Sequence, residues 1–142
     1  MFLSTIPLAG FGTSNRATFN RRLDIATEKL VKKLPAGAKH WGRARKGLNV
    51  FLRECLYTTY LSDAYKLHRA KHLLEVPLDE ETGQRLMQAA KDIGTRLPRW
   101  QTVNGLTKAR SASYQSVAQM ISVRENVARV HLDARWWGQR ET

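Results

Sequence analysis

The chain has one cysteine, Cys55, in 142 residues. An internal disulfide and any cysteine-built metal or iron–sulfur site are thereby excluded, no cofactor is expected, and a reducing, cytoplasmic compartment fits. Proline is scarce as well, at positions 7, 35, 77 and 98 only, which leaves few places where a helix must break. No long apolar run is present. The opening stretch through Phe11 is apolar but short, contains Pro7 and lacks a basic leader, so residues 1–14 are expected to pack on the domain as an arm rather than act as a signal, and no membrane partner is expected. Acidic residues are the last shortage. Twelve Asp and Glu face 24 Lys and Arg, for a net charge of +12 and a pI near 10.5, more than solubility requires, and the expected partner is polyanionic.

A composition of 42% hydrophobic and 25% charged residues without internal repeats is that of a globular chain. At this length one domain spanning residues 1–142 is expected. Its basic excess is uneven: residues 16–53 hold eleven Lys or Arg against Asp24 and Glu28, so this third of the chain is expected to carry most phosphate contacts.

Hydrophobic spacing predicts an all-α fold of about five helices. Phe19, Leu23, Ala26, Leu30 and Leu34 recur at helical steps over residues 16–34, and Pro35 and Gly37 close that helix into a loop bearing Lys39, His40, Trp41 and Arg43. A second, central helix is predicted over residues 43–67 from the wide apolar face of Leu48, Phe51, Leu52, Cys55, Leu56, Tyr60 and Leu61. Lys46, Asn49 and Arg53 align on its remaining side, either as a site or as an ordinary solvated stripe. Residues 68–76 extend this helix or bend from it. His68 and His72 lie four apart without a third ligand at useful spacing, so no metal site is expected. Asp79 caps a helix over residues 80–93, closed by Gly94. The loop containing Pro98, Trp100 and Gly105 forms either a pocket wall or an apolar anchor, and Thr107 caps a further helix over residues 108–124. Residues 127–137 fit both a strand and a helix; a lone strand lacks a partner, which favours the helix, with Trp136 and Trp137 closing the core.

Two segments carry a resemblance. Ala44-Arg45-Lys46-Gly47-Leu48-Asn49-Val50-Phe51-Leu52 is similar to the R-K-T-A-N-V-V-L run of helix-hairpin-helix DNA glycosylases of the endonuclease III type, and Val76-Pro77-Leu78-Asp79-Glu80-Glu81-Thr82 resembles their V-D-T-H segment. The resemblance implies Lys46 as a nucleophilic lysine and Asp79 as the essential aspartate. The carboxylate would stabilise positive character at the sugar carbon while the amine attacks to form a Schiff base, on a nucleotide turned out of the stack among rings such as Trp41, Tyr57, Tyr60 and Trp100.

Three classes of function follow: a DNA base-excision enzyme using Lys46 and Asp79, a non-catalytic DNA- or RNA-binding protein, and a small inhibitor of an acidic protein partner. DNA is expected ahead of RNA. For either nucleic-acid class the expected contacts are Lys39, His40, Trp41, Arg43, Arg45, Asn49, Arg53 and Trp100, in a groove bordered by residues 39–46, Asp79 and the Trp100 loop.

Overall fold

The computed structural model describes residues 6–140, with side chains described through Trp136. Among these residues the fold is all-α, with no strand. Six α-helices follow one another: α1 (Arg16–Lys33), α2 (Trp41–Tyr57), α3 (Thr59–Tyr65), α4 (Glu80–Asp92), α5 (Lys108–Glu125) and α6 (Leu132–Arg140), with short 3-10 turns at Leu8–Phe11, Leu67–Ala70 and Arg129–His131.

Local chemistry sets these boundaries. The Asn15 side chain accepts from the Thr18 amide, Asp79 from Thr82 and Thr107 from Arg110, so α1, α4 and α5 each begin on a capping oxygen, the last two as expected above. The single long helix expected over residues 43–67 is instead divided. Thr58 takes an extended backbone between α2 and α3, and Lys66 lies in the left-handed region, φ 56°, ending α3. Thr58 and Thr59 are consecutive β-branched residues, poor helix formers that resist a continuous turn. The last segment is helical, with Trp136 buried; the Trp137 side chain lies outside the described residues. Residues 1–5 of the expected arm are likewise outside them. Ile6 and Phe11 are buried, with the Phe11 ring edge-on to Phe19 at 5.6 Å.

The core has two parts. One gathers Phe11, Phe19, Leu23, Leu48, Leu52 and Leu67 from the first half of the chain; the other gathers Leu86, Trp100, Tyr114, Val117, Leu132 and Trp136 from the second. Each large side chain so buried contributes about 1.5–3 kcal/mol. Between the two runs a segment without regular secondary structure, residues 74–78, that follows the turn at Leu73 and is buried along its whole length. A buried irregular chain must have its peptide groups satisfied, and side chains contribute to this here. Gln115 accepts from the Val76 amide at 3.2 Å and donates to the Val76 carbonyl at 2.7 Å. The Arg129 guanidinium donates to the carbonyls of Leu73 (2.7 Å) and Leu74 (3.2 Å).

Candidate nucleic-acid interface

α2 presents its basic residues in two opposite directions. Arg45 and Asn49 point inward to the buried segment. Arg45 donates to both oxygens of Glu75, at 2.9 and 3.2 Å, and at 2.9 Å to each of Asp24 and Thr27, while Asn49 donates to Glu75 at 3.0 Å. Burial alone lowers the pKa of Arg45, but Glu75 and then Asp24 outweigh it and the net shift is upward, so this guanidinium is a fixed internal cation. Arg53 is half-buried in an ion pair with Asp133. The expected stripe of Lys46, Asn49 and Arg53 is therefore not one exposed surface: two of its members, and Arg45 beside them, are engaged by internal carboxylates.

Arg43 and Lys46 point the other way. Together with Gly47, Val50 and the turn Thr102, Val103 and Asn104 they line an open groove of about 610 Å³. The groove exists because α2 and this turn pack with almost no gap at Gly42, where an added Cβ would stand 2.0 Å from the Val103 carbonyl oxygen. Any side chain there would lever the two apart. The turn is fixed in its own right, since the Gly105 amide donates to the Thr102 hydroxyl at 3.0 Å. Arg43 donates through Nε to Asn104, and its two terminal nitrogens have no partner among the described residues; nor does the Lys46 ammonium. Gly47, in mid-helix, has nothing within 4 Å of where a Cβ would be.

The other expected contacts are scattered. Lys39 is exposed and donates to the last-turn carbonyl of Lys32 at 3.0 Å; His40 takes the N-cap position of α2 without a side-chain bond. Trp41 is partly exposed, with the Arg45 guanidinium 5.0 Å from its ring centre. Trp100 is not a groove wall. It is 4% exposed, edge-on to Tyr114, bonded through Nε1 to Glu80, and seated on Gly83, where a Cβ would meet its ring at 2.4 Å. Asp79 accepts from the Thr82 amide at 2.8 Å as the cap of α4 and is not among the residues lining the groove with Lys46. Tyr57 and Tyr60 are exposed, and neither lines that groove.

The Trp100 loop is expected from the sequence to border the groove, and its Thr102–Asn104 turn does so, but sequence reasoning did not single out Gly47, Thr102 and Asn104 as groove residues. Signals for them exist. A glycine inside a strongly periodic helix costs about 1 kcal/mol and asks for a reason, and Asn104-Gly105 marks a turn. Set against protein-family models, curated proteins and solved structures, the chain matches none of them.

Proposed function

We propose that this protein binds nucleic acid, DNA ahead of RNA, by seating a stretch of phosphodiester backbone in the groove between α2 and the Thr102–Asn104 turn. One observation carries the reading: Arg43 and Lys46 are cations without an acidic partner among the described residues, over a helical glycine that nothing covers. A phosphate approaching there meets two cations and the close backbone access that glycine provides. The wider basic surface, with Arg16, Arg21, Arg22, Lys29, Lys32 and Lys33 all exposed on α1, adds sequence-independent attraction. Binding is adopted in preference to base excision because Asp79 is engaged as a helix cap outside the groove.

The test is fluorescence anisotropy of a labelled DNA duplex across a salt series. The wild type is expected to lose affinity linearly in log salt, and the Arg43→Ala/Lys46→Ala double variant to bind more weakly with a slope shallower by about two phosphate contacts, roughly 0.9 each. An unchanged slope removes the groove from the interface. Asp79→Asn retains a good capping side chain and should bind as the wild type does. If a damaged-base duplex instead gives a borohydride-trapped adduct that Lys46→Ala and Asp79→Asn abolish, the excision reading replaces this one.

A further inference from the structure

A second cavity, of about 400 Å³, shares no residue with the Lys46 groove. It lies where the end of α5 and the turn after it meet residues 71–72 and the 3-10 turn at His131, and its size is within the roughly 300–1,000 Å³ typical of small-ligand pockets. Its lining combines three kinds of chemistry.

The first is a fixed flat ring. His131 lies 17° from parallel to Tyr57, ring centres 5.4 Å apart, and its Nδ1 is 2.6 Å from the Tyr57 hydroxyl. Burial lowers the pKa of His131 and raises that of Tyr57, so the contact joins a neutral imidazole to a neutral phenol. The second ring nitrogen, Nε2, has no partner among the described residues and offers a donor or an acceptor according to the tautomer.

The second is a pair of amides. Gln119, on α5, and Asn126, the left-handed residue that ends it (φ 56°), both line the cavity. The Gln119 Oε1 atom is buried without a hydrogen-bond partner, a condition that costs about 1–3 kcal/mol unless a ligand satisfies it. The third is charge at one end only. Lys71 and His72 are exposed, and their side chains make no bond to the described residues. At the other end the last α5 carbonyls are already satisfied, Val123 by the Asn126 amide and Ser122 by the Val127 amide, and the negative helix end disfavours an anion there.

We propose that this cavity binds a nucleoside monophosphate unit, its base edge on the Gln119 and Asn126 amides beside the His131 ring and its phosphate on Lys71 and His72. Amides that both donate and accept suit a base edge, and rings and cations side by side suit a base joined to a phosphate. A simple anion would leave the Gln119 oxygen and the apolar Val127 and Ala128 lining unused. The site stands on different residues from the Lys46 groove and does not depend on it.

The experiment is an NMR titration of the full chain, following the Gln119 and Asn126 side-chain amides and the His131 ring. The probes are the four ribonucleoside monophosphates, adenosine, inorganic phosphate and a short 5′-phosphorylated oligothymidylate. At least one mononucleotide or the strand should shift these signals; response to the strand alone assigns the unit to a strand end, and response to a monophosphate assigns it to free nucleotide. Gln119→Leu should weaken binding on the order of fivefold to tenfold, the equivalent of one hydrogen bond, while its melting temperature stays level or rises because a buried unpaired acceptor is gone. Lys71→Ala should weaken nucleotide binding and leave adenosine binding unchanged. Lys46→Ala should leave both unchanged. The proposal is overturned if no probe moves these signals, if Gln119→Leu binds with unaltered affinity, or if inorganic phosphate alone reproduces the shifts and the nucleoside adds nothing.

Discussion

Arg43 and Arg45 are two residues apart on one helix and have opposite fates. Arg45 faces the inside, where Glu75, Asp24 and Thr27 occupy its fork. Arg43 faces the open groove, held by Asn104 at one nitrogen with the other two unpartnered among the described residues. A basic residue in a sequence is thus not yet a basic surface. The inner cation ties α1 and α2 to the buried segment at Glu75, and the outer one remains available to an anion. Net charge counts them alike, whereas burial and the position of a carboxylate thirty residues away separate them.

The sharpest way to break this contrast is to remove the acid that anchors the inner side. Glu75→Ala removes two of the Arg45 hydrogen bonds and strands Asn49, leaving the buried guanidinium with only the partly exposed Asp24 as a counter-ion, so the unfolding free energy, read from the urea midpoint, should fall by about 3 kcal/mol, the low end for a broken buried pair. A loss below about 1 kcal/mol would show that the inner network does not hold the buried segment against α1 and α2.

The outer side should respond in the reverse sense. Gly47→Ala places a methyl group in open space on a helix and should raise stability by about 0.5–1 kcal/mol through helix propensity, while crowding the groove and weakening duplex binding. Stabilisation together with unchanged binding would mean that the glycine does not face the ligand.

The smallest effect concerns pH. His131 has its pKa lowered first by burial and then by Lys71, opposed by Asp133, with Arg53 and His72 adding to the lowering. Its neutral form is therefore the native one. The contribution is complete above the unfolded value of about 6.5 and should be lost as pH falls from there through the lowered folded value. His131→Gln should flatten the stability profile in that acid window relative to the wild type, which thermal melts at stepped pH would resolve.

Much of the fold is legible in the sequence because it is local. The caps at Asn15, Asp79 and Thr107 and the apolar spacing of α1, α4 and α5 depend on residues within a few turns of each other. The break at Thr58 was signalled only by two adjacent β-branched residues inside a strongly apolar pattern, and the pattern outweighed them. The site was less legible. Lys46, Asn49 and Arg53 fall on one helical stripe by spacing, yet which part of that stripe meets solvent depends on Glu75 and Asp133, 26 and 80 residues distant in the pairs they form. Trp100 is a loop tryptophan whose fate was decided by Gly83, a residue without a side chain to advertise the fit. Arg129 and Gln115 gave no signal at all, because their partners are backbone carbonyls and amides of a segment that carries no periodic pattern.

That segment also bears on how the chain folds. Val76 exchanges both of its peptide hydrogen bonds with the side chain of Gln115, 39 residues later, as a strand would with a neighbouring strand, but without a sheet. Its amide cannot be shielded by local helix formation and gains protection only when α5 has arrived. In hydrogen exchange it should therefore open only with the whole molecule, making one amide proton a clock for the docking of the two halves.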